Sequence, residues 1–336
     1  MIRKLFFVTL AGMLLASGLA GQKLKVLDLS RLGHEAYVRM QAAVPEITLV
    51  EGDRSKAGAQ LADADGVIGP FDLKLLSAAP KLKWIQSESA GVENFTFLPG
   101  FAQSKIVLTN NKILQGPEIA DHALGLLLAL TRGIAIAARG GSQDWNQRNF
   151  SPIELRGKTA VIVGVGGIGT QIALRLHASG MTVVGVDPKD MPYNTYLSRT
   201  VAPDRLDSVL PIADVVFISA PLTPLSRKMM GPREFELMKP NSYFIAVSRG
   251  GLYDIDALVK ALDSKRLAGA GLDVTDPEPL PKNHPLWKFP NVLITPHIAG
   301  RSDGENARYE ALYIENLKRF AAGEPLLNVV DKEKGY

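Results

Sequence analysis

Residues 159–187 read Thr159-Ala-Val-Ile-Val163-Gly164-Val-Gly166-Gly167-Ile168-Gly169-Thr170-Gln-Ile-Ala-Leu-Arg-Leu176-His-Ala-Ser-Gly-Met181-Thr-Val-Val-Gly-Val186-Asp187. The first five are apolar and β-branched, a run of the length expected for a buried strand in a parallel sheet. The run breaks into a glycine-rich turn and resumes from Thr170 to Leu176 with helical spacing. A second apolar run, 181–186, ends on an acid about 20 residues past the glycines. Each part has a physical task. Gly164 permits the tight turn, Gly166 lets the backbone approach a pyrophosphate, and Gly169 lets helix and strand pack closely. Free N–H groups at the start of the helix face the phosphates. Asp187 can accept from both ribose hydroxyls and would repel a 2′-phosphate, which favours NAD over NADP. A lone glycine triplet carries little weight, but here strand, turn, helix, strand and acid follow in order.

Working outward, the 336 residues suffice for about two domains with ample core. Hydrophobic content of 46% and charged content of 21% are those of a globular protein. The net charge of +4 is modest, and no basic stretch is interleaved with aromatics, so nucleic acid is not an expected partner. The absence of cysteine excludes disulfides, thiolate metal sites and a cysteine nucleophile, and no metal site is expected. At the start of the chain, Arg3 and Lys4 precede an apolar run, Leu5–Leu15, and then small residues through Ala20. That order is the order of a secretory signal, with cleavage near Ala20 and an exported, periplasmic or secreted product. The alternative is a cytoplasmic protein whose leader is not used.

From Leu24 onward, short strands alternate with helices. Strands are expected at 24–29, 47–50, 65–69, 84–86 and 106–109, with helices at 34–43 and 73–79. A long, nearly all-apolar helix at 117–130 carries His122, for which a packed or hydrogen-bonded side chain is the reading adopted. A polar loop, 140–152, bears Trp145. Beyond Asp187 the alternation continues with a short helix at 206–210, strands at 215–219, 242–247, 269–274 and 292–295, and helices at 232–238 and 254–263. A closing helix, 302–321, should pack back on the first domain. The expected architecture is α/β, with two doubly wound parallel-sheet domains. A substrate domain would span 22–115 and be completed by 302–336, and a cofactor domain would span 116–301. Ser87-Glu-Ser-Ala-Gly-Val92 after its strand is either an anion-binding turn or an ordinary strand-to-helix turn.

Three chemical groups lie near strand ends of the second sheet: Arg249, Glu278 and His297. Ligands of open α/β sheets bind outside the carboxyl ends of the strands, so these groups can converge. A guanidinium can fork onto a carboxylate, an imidazole can carry a proton near neutral pH, and a carboxylate bonded to that imidazole fixes its tautomer.

The segments Gly164–Gly169, Ser248-Arg-Gly-Gly251, Gly269-Ala-Gly-Leu-Asp-Val274, Glu278-Pro-Leu280, His284-Pro-Leu-Trp287 and Thr295-Pro-His-Ile-Ala-Gly300 resemble the D-isomer-specific 2-hydroxyacid dehydrogenases. The resemblance runs from about Leu24 to Tyr336. It implies a Rossmann-like cofactor domain, a flavodoxin-like substrate domain, an active site in the cleft between them, and a homodimer joined through the cofactor domains. It also implies that Arg249 binds the substrate carboxylate and carbonyl, that His297 is the acid/base, and that Glu278 pairs with it. The backbone of Ala90 and Gly91 would hold the carboxylate, which settles the reading of 87–92. Gly164, Gly166, Gly167, Ile168, Gly169, Asp187, Ala220, Val247, Ser248, Asp273 and Gly300 would line NAD. Ala246 stands where the family usually has Asn, and Asp121 where it usually has Glu. Related formate dehydrogenases carry Gln in place of Glu278, which argues against formate.

The expected activity is an NAD-dependent oxidoreductase that reduces a small 2-keto acid such as glyoxylate or hydroxypyruvate, or runs in reverse. Two alternatives share the three residues: a non-catalytic NAD-sensing protein of the same fold, and a phosphite-type dehydrogenase.

Overall fold

The computed structural model describes residues 23–140, 150–189 and 194–336. The leader and most of the loop bearing Trp145 lie outside the described residues. Two all-parallel sheets organise the rest. The first has the order β2-β1-β3-β4-β5, from β1 (Lys25–Asp28), β2 (Thr48–Glu51), β3 (Gly66–Ile68), β4 (Trp84–Gln86) and β5 (Val107–Thr109). The second has the order β12-β11-β10-β9-β6-β7-β8. It comprises β6 (Thr159–Val163), β7 (Thr182–Val186), β8 (Arg199–Val201), β9 (Val215–Ile218), β10 (Ser242–Ala246), β11 (Leu267–Leu272) and β12 (Val292–Ile294). These are the flavodoxin-like and Rossmann-like orders expected of the two domains.

The described helices are α1 (His34–Ala43), α2 (Ala57–Gln60), α3 (Glu93–Thr96), α4 (Gly116–Thr131), α5 (Ile134–Gly140), α6 (Gly167–Ala178), α7 (Pro232–Leu237), α8 (Ile255–Asp263) and α9 (Glu305–Ala322). None among the described residues is long and apolar enough to cross a membrane. Helix α4 begins with Pro117, whose missing N–H costs nothing in a first turn. Its buried side chains Ala123, Leu126, Leu127 and Leu130 join Ile162, Ile172 and Phe217 in a core on one face of the second sheet. Helix α8 is capped by Asp254, whose carboxylate accepts from the Ala257 N–H at 3.0 Å.

Helix α9 crosses back to the first sheet. Tyr309, Leu312, Tyr313 and Leu317 recur at helical spacing and pack on Val26, Met40, Ile68 and Trp84. Buried Asn316 seals the contact, its Nδ2 donating to Gln86 Oε1 at 3.0 Å while its Oδ1 accepts from the Leu327 N–H at 2.8 Å. Gln86 Oε1 also accepts from Thr109 Oγ1, which accepts in turn from Trp84 Nε1. These polar groups are almost wholly buried and satisfy one another directly below the 87–91 turn.

Some elements differ from expectation. The edge strand β8, Arg-Thr-Val, is too short and polar to show as a strand, and is defined by its pairing with β7. Residues 73–78 form a 3₁₀ helix, and the helix expected at 206–210 resolves into 3₁₀ turns at 203–208 and 210–212. Proline at the start of each of the latter two removes a donor that a continuous α-helix would use.

Candidate active site

The strand order reverses between β6 and β9, which is where a doubly wound sheet opens a crevice. The glycine loop fills the end of β6. Gly164 has φ 91°, and a Cβ there would run into the Ala220 backbone. A Cβ on Gly169 would overlap the Gly164 carbonyl oxygen, and one on Gly167 would press on the Ile113 backbone. Gly166 is different: nothing lies within 4 Å of where its Cβ would be. Three glycines are therefore required by packing and one opens onto free space, as a pyrophosphate needs. At the end of β7, Asp187 accepts from the Val165 N–H at 2.8 Å and the Lys189 N–H at 2.9 Å. The acid expected to bind the ribose and the turn expected to take the phosphates are thus built as one unit. Ile168 is partly buried against the core, and Ala220, Val247 and Ser248 are buried at the ends of β9 and β10. These residues fit a dinucleotide.

Asp273, just past β11, is 2% exposed, and its carboxylate is fully engaged. It accepts from Thr295 Oγ1 at 2.6 Å and from the N–H groups of Ile298 at 3.0 Å and Ala299 at 2.9 Å. Its carbonyl accepts from the His297 N–H at 3.0 Å. Asp273 therefore shapes the loop that carries the histidine. His122 reaches the same loop from α4, with Nε2 2.9 Å from Thr295 Oγ1. Gly300 ends this loop against Gln115, whose Nε2 donates to its carbonyl at 3.3 Å.

His297 and Glu278 come together as expected. The imidazole Nδ1 lies 3.1 and 3.0 Å from the two carboxylate oxygens, and both side chains are about two-fifths exposed. A carboxylate can only accept, so Nδ1 carries a hydrogen and Nε2 is the nitrogen left to face a reactant. His297 also has φ 52°, a left-handed backbone uncommon outside glycine.

Arg249 is placed across the cleft, against the turn that follows β4. A Cβ on Gly91 would overlap its guanidinium, so any side chain there would push the arginine out of this position. Arg249 Nε donates to Glu93 Oε1 at 2.6 Å, Nη1 to the Ser248 carbonyl at 2.7 Å, and Nη2 to Ser89 Oγ at 3.4 Å. The fork expected to be free for a carboxylate is therefore partly engaged, with its Nη2 side turned to the Ser89–Gly91 backbone. Ala90 is pinned through its carbonyl by Asn110 Nδ2 at 2.6 Å, and the Gly91 N–H donates to Ser89 Oγ at 3.2 Å.

Sequence reasoning missed Glu93 and Ser89 on one side and the Thr295–His122 contact on the other. Glu93 follows Gly91 by two residues on the single turn α3, and only the cleft geometry shows what it touches. For His122, the reading as a hydrogen-bonded helix histidine agrees with the structure.

The arrangement is suited to hold an anion beside a carbonyl and to move one proton at Nε2. Comparison with known proteins points the same way. Residues 124–299 match the family model described as D-isomer specific 2-hydroxyacid dehydrogenase, NAD binding domain. A glyoxylate reductase of Thermofilum pendens is 35% identical over 272 residues, covering 78% of this chain and 79% of that protein. A D-3-phosphoglycerate dehydrogenase of Methanocaldococcus jannaschii is 30% identical over 311 residues, 89% of this chain but only 58% of the longer relative. Among solved structures, an NADPH-dependent glyoxylate/hydroxypyruvate reductase from Sinorhizobium meliloti, in complex with NADP and sulfate, aligns with TM-score 0.79 and 28% identity. That alignment covers 94% of this chain and all of that one.

Proposed function

The chain belongs to the D-isomer-specific 2-hydroxyacid dehydrogenases, and from that membership we propose a reductase of small 2-keto acids that draws its hydride from NADH. As a member it is an oxidoreductase acting on 2-hydroxy acids, with a nicotinamide dinucleotide as cofactor. The finer reading is supported most by one observation: Glu278 holds His297 through Nδ1 with both carboxylate oxygens, leaving Nε2 for the substrate.

In this account the Gly91 backbone and the Nη2 side of Arg249 receive the substrate carboxylate, and the guanidinium polarises the keto oxygen. When bound, NADH supplies the hydride. As the keto carbon accepts it, His297 Nε2 gives its proton to the oxygen, and the product is a 2-hydroxy acid. Glu278 holds the imidazole in place throughout and offsets the charge of its protonated form. In the reverse direction Nε2 takes the hydroxyl proton. The relatives named glyoxylate reductase support glyoxylate or hydroxypyruvate as the substrate class.

Asp187 supports NADH over NADPH, because its carboxylate stands at the end of β7 and would face a 2′-phosphate. The Sinorhizobium relative uses NADPH, so this preference belongs to the individual chain. A homodimer through the cofactor domains is proposed as well, supported by Ile134 and Ile136, exposed on α5. Export through residues 1–20 is proposed on the leader's composition.

The test is a spectrophotometric screen of NADH and NADPH against glyoxylate, hydroxypyruvate, pyruvate, bulkier keto acids and, in reverse, phosphite. NADH-dependent turnover of at least one small keto acid, with NADPH poorer, is the expected result. Turnover of phosphite alone, or of nothing, would overturn the reading. A preference for NADPH would overturn the role given to Asp187.

A further inference from the structure

The segment that follows α9 runs along β5, with Val330 N–H donating to the Leu108 carbonyl, and then leaves the first sheet. It turns at Asp331, whose carboxylate accepts from the N–H groups of Glu333 and Lys334, whose carbonyl accepts from the Gly335 N–H at 2.8 Å, and whose own N–H donates to the Tyr336 carbonyl at 3.1 Å, closing the turn. A Cβ on Gly335 would lie 3.6 Å from both Thr96 Oγ1 and Thr223 Cγ2. Thr96 belongs to the first domain, and Thr223 to the loop after β9. Tyr336 then places its ring under the ammonium of Lys189, 4.9 Å from the ring centroid. Lys189 is the residue whose N–H donates to Asp187.

The sheet order gives these contacts their meaning. Strands β7 and β9 flank β6 on either side. This closed turn stands beside the loop after β9 at Gly335 and reaches the residues after β7 through the ring of Tyr336, which puts the ring at the rim of the crevice that opens beside β6. We propose that the turn 331–336 sits at the rim of the dinucleotide crevice and that Tyr336 is a cofactor-binding residue, its ring forming a wall for the adenosine half. The inference rests on the reading of this crevice as an NADH site. It adds that the segment completing the first domain, through this turn, supplies part of the binding surface of the second. An aromatic ring beside the ribose acid offers a stacking face to adenine, a contact typically strong and tolerant of exact pose.

The experiment measures dissociation constants of NADH and of ADP-ribose, by titration calorimetry, for the wild type, Tyr336→Ala and Tyr336→Phe. Melting temperatures confirm that all three are folded. Tyr336→Ala should weaken both ligands by roughly ten-fold, and Tyr336→Phe should keep near wild-type affinity. ADP-ribose lacks the nicotinamide, so an equal loss for both ligands locates the contact at the adenosine end. Unchanged or tighter binding by Tyr336→Ala, with a wild type that binds NADH, overturns the role given to Tyr336 and leaves the proposed function standing. A wild type that binds neither ligand overturns both.

Discussion

At His297 the backbone does part of the work before any side chain does. Its φ of 52° and the bonds from its N–H to the Asp273 and Thr295 carbonyls aim the ring, and Glu278 then fixes the tautomer. His297→Asn should lower turnover by about two to four orders of magnitude and leave NADH affinity nearly unchanged. Steady-state rates and a fluorescence titration check this together, and near-normal turnover would remove the acid/base assignment. Arg249→Lys should raise KM and lower kcat, since an ammonium cannot serve Glu93, Ser248 and a substrate from one planar group. Glu88 gives a prediction about pH. Burial raises its carboxyl above the usual range although the Arg31 N–H donates to it. Its ionisation therefore opposes folding: the folded state binds the proton more tightly, and stability falls as pH rises through the folded pKa. Glu88→Gln should melt higher than the wild type at neutral pH, and the gain should vanish in acid. A gain that persists or grows in acid contradicts the sign. At this scale the three catalytic candidates were legible because arginine, glutamate and histidine stand near strand ends among recognisable neighbours. Glu93 was not, because its partner is 156 positions away.

The glycine loop separates two kinds of requirement within one element. Gly169 must be small because helix α6 presses on the Gly164 carbonyl, whereas Gly166 faces open space. Gly169→Ala should destabilise the fold by about 1–3 kcal/mol through overpacking. Gly166→Ala should fold normally and lose dinucleotide affinity. Thermal melting and NADH titration on the pair should give opposite patterns, and the same pattern in both would refute the distinction. The apolar runs of β4, β6 and β10 announced themselves because their residues are nearly all buried. Strand β8 did not, because an edge strand of Arg-Thr-Val buries little and exists through its partner. The 3₁₀ stretches were read as helix because three-residue and four-residue periods are hard to tell apart over six positions.

Across the whole molecule, the chain returns from the second sheet to the first by α9, which packs on the first sheet. The apolar spacing of α9 was visible in the sequence, but its buried polar seal through Asn316, Gln86 and Thr109 was not, since periodicity carries no information about hydrogen-bond partners. Asn316→Leu would strand the Leu327 N–H and remove a donor from Gln86, at a cost of about 1–3 kcal/mol in a denaturant titration. The leader poses a question at the same scale, because dinucleotides are recycled inside the cell. N-terminal sequencing of the native protein from separated fractions should find a start near Gly21 outside the cytoplasm, and an unprocessed cytosolic chain would refute export. The central claim is the transfer of hydride from NADH to a keto carbon at this site. It is tested most directly by supplying NADH deuterated at the transferred position together with hydroxypyruvate and analysing the product. The account predicts deuterium on C2 of a 2-hydroxy acid of D configuration with the wild type, and almost none with His297→Asn. Tight NADH binding without transfer of the label to this or any other keto acid would show a nucleotide-binding protein and contradict it.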